Sequence, residues 1–190
     1  MRAVSLPPPA ARQKLHTRKI VIEGFSREDG NFDVDATLWD TKSKDIRTFR
    51  GDLPAGGVLH GLSARMTISP QFEIVDFEVA MDDTPSVACE TAPANFKALI
   101  GLKIGQGFVR AAYERVGGTL GCTHIREMLQ QMGTVAYQTM FQLRKLRRDP
   151  NAKPPLIDSC HGWRADGDII KRSYPDFYQE PAAAAEDNAK

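Results

Sequence analysis

No stretch of this sequence approaches the eighteen or so consecutive apolar residues that a membrane-spanning helix requires, so no membrane partner is expected. Charge of one sign is also missing. Lys and Arg total 25 against 24 Asp and Glu, and the resulting formal charge of +1 supplies no global field to gather nucleic acid or an anionic surface. Cysteine is scarce: there are 3, an odd number set far apart. Met1 to Ala11 carries prolines where a secretory signal would need an apolar run, so a reduced, cytoplasmic protein without a disulfide framework is expected. The glycines at 101, 105 and 107 lack both the preceding strand and the spacing of a dinucleotide-binding or P-loop motif, and no organic cofactor is expected.

What is present suits one core. A chain of 190 residues with 42% apolar residues can bury enough surface without staples. Residues 1–13, with Pro7-Pro8-Pro9, read as a disordered leader, residues 14–180 as a single α+β domain, and the Ala-rich residues 181–190 as a disordered tail. Period-two alternation begins with Ile20 and Ile22, turns at Asp29-Gly30, and resumes with Phe32, Val34, Ala36 and Leu38, which describes a hairpin. A turn-rich interval precedes two further alternating runs, Leu62 to Ile68 and Val75 to Met81, with Val75, Phe77, Val79 and Met81 as the apolar face of the second. These four strands predict an antiparallel meander with one face covered by helices.

After Pro85 the pattern turns helical. Ala94 to Ile100 and Gly107 to Val116 read as short helices, and a longer one runs from an N-cap at Thr123, with Ile125, Met128, Leu129, Met132, Val135, Ala136, Met140, Leu143 and Leu146 at three- and four-residue steps, until Pro150 stops it. The expected architecture is therefore a four-stranded sheet packed on one long helix and shorter ones, with a β-roll or open barrel around the long helix as the alternative. The Met-rich stripe and Gly133 would suit either the core or a homodimer contact. The basic residues from Arg144 to Arg148 suit the negative end of the helix dipole, so no nucleic-acid partner is needed to explain them. Asn151 to Tyr178 is irregular but aromatic, which suggests a segment packed against the body.

Chemistry-bearing residues gather around Gly117 to His124, where one helix ends and the long one starts. His60 and His124 are candidate acid–base groups because imidazole titrates near neutral pH, and Cys122 at the helix start is a candidate nucleophile. Arg18, Asp35, Arg65 and His161 are candidates for binding a substrate. As an alternative, Cys122, His124, Cys160 and His161, with His60 as an optional further donor, offer the thiolate and imidazole donors that zinc prefers, although Cys-x-His and Cys-His are closer spaced than the usual finger pairs. Burial explains the same cysteines as small apolar residues.

Several motifs occur together: His16-x-Arg18, Arg27-x-Asp29-Gly30, Gly57-x-x-His60, Gly101-Leu102-x-Ile104-x-x-Gly107, Gly118-x-x-Gly121-Cys122-Thr123-His124, and Asp158-Ser159-Cys160-His161. In these the chain resembles the bacterial domain-of-unknown-function family 2889 over nearly its whole length. The resemblance implies a set of positions and no reaction. From the residues, the expected function is a small cofactor-independent enzyme that performs acid–base chemistry on a small organic substrate, an aromatic or acyl compound, as a lyase or isomerase of the kind used in aromatic catabolism. A metal- or ligand-binding accessory protein is the alternative.

Overall fold

The computed structural model describes residues 6–147, 149 and 151–181. The parts of the expected leader and tail at residues 1–5 and 182–190 lie outside the described residues. Backbone contacts divide the chain into two compact units, Met1–Arg144 and Lys145–Lys190.

In the first unit, β1 (His16–Ser26) and β2 (Phe32–Lys42) form the expected hairpin, with Gly30 at φ 85° in its turn. The interval read as turns contains a separate small hairpin of β3 (Ile46–Thr48) and β4 (Gly51–Leu53). The remaining strands, β5 (Val58–Ile68) and β6 (Ile74–Asp83), complete a four-stranded antiparallel sheet in the order β1-β2-β5-β6. The architecture is α+β, and no closed barrel forms among the described residues.

Register explains the faces. Ile22, Ala36, Ala64 and Val79 are consecutive partners across the sheet, as are Ile20, Leu38, Leu62 and Met81. Val34, Ala36 and Leu38 are at most 1% exposed. The fourth strand departs from simple alternation, because Ile74 and Phe77 are buried while Val75 is 41% exposed. Ile68 pairs with Ile74 and Thr67 with Asp76, so Val75 is an extra residue that shifts the parity of β6.

Beyond β6 come two 3-10 segments, Val87–Thr91 and Pro93–Leu99, then α1 (Phe108–Val116). Phe96 stacks on Phe77 with ring centroids 6.0 Å apart. Gly117 stops α1 for a steric reason, since a Cβ there would lie 2.2 Å from the Tyr113 carbonyl oxygen, and Gly118 takes the left-handed turn at φ 55°.

The predicted long helix is interrupted. The helix α2 (Thr123–Thr139) is followed by α3 (Phe141–Arg147), with Met140 between them at φ −92°, ψ 16°. Thr139 Oγ1 donates back to the Val135 carbonyl at 2.9 Å, a bond that bends helices. The cap also differs from expectation. Cys122, extended at φ −90°, ψ 130°, is the N-cap, and its carbonyl accepts the Arg126 N–H at 3.0 Å, so Thr123 is the first helical residue. Ile125, Met128, Leu129, Met132 and Ala136 are at most 1% exposed, and the Met stripe therefore packs inside the subunit. α2 lies over β1, β2 and β5 and also packs on α1. At Gly133 a Cβ would touch the Phe108 ring at 3.4 Å, so this glycine meets a neighbouring helix.

The second unit has its own small core. Ile157, Ala165 and Ile170 are buried there, with Trp163, Tyr174, Phe177 and Tyr178 packed against them. Its regular elements are 3-10 turns at His161–Trp163 and Pro175–Phe177 and the short helix α4 (Asp168–Ser173). Its aromatics thus serve this local core. Among the described residues no helix is long and apolar enough to cross a membrane.

At Gly24 on β1 the α2 helix approaches the sheet closely, because a Cβ there would sit 1.7 Å from Thr139 Oγ1. Gly24→Ala should cost about 1–3 kcal/mol by overpacking, read as a lower urea midpoint with an unchanged slope. An unaltered midpoint would mean that α2 yields without cost.

Candidate functional site

At one end of the sheet the apolar rows give way to a polar one. Arg18 pairs in register with Asp40, and Asp40 with His60, so three adjacent strands each place a polar residue on the face that otherwise carries core side chains. Asp40 follows Val34, Ala36 and Leu38 in its row, just as His60 precedes Leu62, Ala64 and Met66. Beside this row β5 is irregular, with Asp40 opposite His60 but Thr41 opposite Val58, a bulge of the kind that re-aims side chains beside functional sites. From above, the first turns of α2 contribute His124 and Glu127, three residues apart and so on one helix face.

The Asp40 carboxylate is the centre of this arrangement and is 1% exposed. Arg18 grips it with both arms of its fork, Nε to Oδ1 at 2.8 Å and Nη2 to Oδ2 at 2.8 Å. His60 Nδ1 lies 3.0 Å from Oδ2 and His16 Nε2 lies 3.2 Å from Oδ1. An ionised carboxylate only accepts, so each of these nitrogens donates, and neutral His60 keeps its free lone pair on Nε2. His124 Nε2 is 3.9 Å from Oδ2, and its ring lies over that of His60 with centroids 4.0 Å apart and planes inclined by 39°. Arg18 Nη1 reaches on to Glu127 Oε2 at 3.0 Å. Cys122 Sγ lies 3.7 Å from His124 Nδ1. The carboxylate forms the floor, while the side chains of His16 and Arg18 are 36% and 34% exposed and form the rim.

Charge states follow from these contacts. Burial alone pushes the Asp40 carboxyl up, but the hydrogen bonds and charge of Arg18, the His60 hydrogen bond and the charge of His16 hold it at about 2. His124 is pushed below its ordinary value by burial first, then by His60 and Arg18, against the opposing pull of Asp40 and Glu127. Its neutral form is therefore favoured, so that a ring nitrogen stays available for proton transfer.

Of the residues singled out in the sequence, His60, His124, Cys122 and Arg18 meet here. Asp35 and Arg65 lie on the opposite face of the sheet, joined to each other by bonds of 2.8 and 2.7 Å. Cys160 and His161 belong to the second unit, where both are exposed. Asp40, His16 and Glu127 were not among the sequence candidates. Asp40 had left a signal, namely a carboxylate at the next position of the apolar row of β2. Glu127 carries no comparable signal in the sequence.

A groove of about 670 Å³ between α1 and α2, lined by Val109, Arg110, Tyr113, Arg126, Glu127 and Gln130, meets the cluster at Glu127. The Arg126 guanidinium lies 4.6 Å from the centre of the Tyr113 ring, and its Nε is buried without a hydrogen-bond partner.

The family described as "Protein of unknown function (DUF2889)" matches residues 16–138, from the first strand to the last turn of α2. The match takes in every residue of the cluster and stops before Cys160 and His161. No curated protein and no solved structure matches the chain.

Because the folded pKa of Asp40 lies below the ordinary 3.8, its contribution to stability is present above that value and is lost as pH falls toward 2. Between about pH 5 and about pH 2 the unfolding free energy should drop by about 2 kcal/mol through this group alone. Asp40→Asn should flatten that slope in urea titrations. The lowered His124 acts with the same sign, removing stability as pH falls below 6.5. A slope left intact in Asp40→Asn would assign it to other carboxylates.

Proposed function

We propose that this chain, which belongs to the DUF2889 family, is a small enzyme performing acid–base chemistry at the Asp40–His60–His124 cluster. Its substrate is an aromatic or acyl compound, and the reaction is of the lyase or isomerase type. The observation that carries this proposal is the Asp40–His60 pair, 3.0 Å apart, with its carboxylate clamped by Arg18. In such a pair the carboxylate holds the imidazole in one tautomer and stabilises the cation that forms when the ring accepts a proton.

His60 Nε2 is the base in this mechanism, and neutral His124, tilted against it, is the second proton carrier: it accepts the proton from the His60 imidazolium on one ring nitrogen as it releases the proton of the other to the product. Asp40 positions His60, and Arg18 positions Asp40. The groove at Glu127 supports the substrate class, since Tyr113 and Val109 give it an apolar wall for a ring or acyl chain and Arg126 gives it a cation for a carboxylate or carbonyl oxygen. No redox step or phosphoryl transfer is needed, in keeping with a sequence that lacks nucleotide-binding motifs.

The test is turnover of a panel of aromatic and acyl compounds, followed by nuclear magnetic resonance, with wild type and variants. His60→Ala should lower kcat by about 10²–10⁴-fold, because a positioned acid or base contributes that much, and should also lower the thermal midpoint because the buried carboxylate loses a donor, so kcat is read on protein shown to be folded. The double variant Cys160→Ser with His161→Ala should retain full activity. Undiminished turnover in His60→Ala would remove the dyad from the mechanism.

A further inference from the structure

The donors of the cluster have a second property that proton transfer does not require: they converge on one point. Asp40 Oδ2, one nitrogen of His60 and one of His124 all lie within 4.8 Å of one another. Asp40 Oδ2 is 3.0 Å from His60 Nδ1 and 3.9 Å from His124 Nε2. Donors bound at about 2.0–2.2 Å to a single tetrahedral ion stand roughly 3.4 Å from each other. The two measured spacings bracket that value, and the third, between the two imidazole nitrogens, is at most 4.8 Å, so side-chain shifts on the order of an ångström would complete the geometry.

Local charge permits a cation despite Arg18. The guanidinium is bonded to both Asp40 and Glu127, so its one positive charge stands against two carboxylates. The nearest donor pair, Oδ2 and Nδ1, is joined by a shared proton, and a metal ion takes the place of that proton. Two of the three donors are already held by outer groups of the kind that metal sites need. Arg18 and His16 donate to the carboxylate, and Cys122 Sγ lies against the far nitrogen of His124. Two imidazoles and one carboxylate suit zinc and its first-row neighbours, not magnesium or calcium, which prefer oxygen alone.

We infer that Asp40, His60 and His124 form a binding site for a divalent first-row transition-metal ion, zinc in particular, whose occupation withdraws both imidazoles from proton transfer and inhibits the enzyme. The inhibition rests on the acid–base reading, whereas the binding does not. Three protein donors leave a fourth position to water, so the site is open and exchangeable. It shares His124, and the optional donor His60, with the set read from the sequence, and replaces the three remaining residues Cys122, Cys160 and His161 by Asp40.

The test uses the full chain stripped of metal with a chelator. Zinc is titrated by calorimetry, and cobalt(II) is added as a visible-absorption probe. One ion per chain is expected, with cobalt absorption typical of a nitrogen- and oxygen-bound tetrahedral or five-coordinate ion. His60→Ala and His124→Ala should each weaken zinc by more than about 100-fold, beyond the loss typical of removing a group that only hydrogen-bonds a ligand. Circular dichroism confirms that each variant is folded. Asp40→Asn serves as a third variant if either histidine variant fails to fold.

Cys160→Ser with His161→Ala should bind like wild type, and weakened binding there would overturn the assignment. Unchanged affinity in folded His60→Ala or His124→Ala would overturn it too, as would thiolate-to-cobalt absorption abolished by Cys122→Ser. Stoichiometric binding that depends on both histidines sustains the site even if no substrate is ever turned over, which would count against the acid–base reading alone. Turnover that depends on His60 in a chain that does not bind zinc leaves that reading in place and sinks the metal site.

Discussion

A carboxylate buried with its charge is the constraint on which this molecule depends. Moving an ion the size of the Asp40 carboxylate out of water costs several kcal/mol unless donors surround it, and breaking such a pair costs about 3–5 kcal/mol. Arg18, His16 and His60 supply those donors from β1 and β5, on either side of β2. The strands must therefore align so that Arg18, Asp40 and His60 stand in one row. A slip by one residue would carry the carboxylate to the open face and Thr41 into the core. The same register brings the apolar rows together, so core and cluster impose one condition.

Helix α2 is tied to the sheet at both ends. Near its start Glu127 bonds Arg18, and at its end Thr139 lies against Gly24. On β1 these two anchors are six residues apart, about 20 Å of strand. On α2 they are twelve residues apart, about 18 Å of helix. The two lengths agree, so the helix runs along the strand with its buried Met and Leu stripe between the anchors. Its first turn then carries His124 over His60. Thus the packing that fills the core also sets the distance between the two imidazoles.

The two faces of the sheet treat their charges differently. On the open face Asp35 and Arg65 satisfy each other in contact with solvent, an arrangement of small energetic consequence. On the covered face the ionisable groups are packed among apolar neighbours, where the dielectric is lower and each charge strongly affects the next. That is why Asp40 and His124 move away from their ordinary pKa values. The proton exchange and the metal binding proposed above would draw on the same donors, with a proton and a metal ion in competition for the space between Oδ2 and Nδ1.

Period-two alternation was enough to place the hairpin about Asp29-Gly30 and the strand from Leu62 to Ile68, and three- and four-residue spacing was enough to place the helix that starts beside Cys122. In both cases local geometry fixes which side chains share a face. Alternation failed at Val75, where a bulge opposite Thr67 and Ile68 reversed the parity, because bulges depend on the partner strand. The helix break at Met140 depended on the Thr139 back-bond, a choice among conformations that spacing does not encode. His60, His124, Cys122 and Arg18 stood out as chemically able residues, but which of them meet could not be read from one dimension. The sequence by itself determined the four strands of the main sheet, the stretches that become α1 and α2, and, Val75 apart, which of their residues share an apolar face. Only the tertiary structure decided that Asp40 is the centre, because its role comes from side chains 22, 20 and 84 positions away that register and helix packing bring within 4 Å.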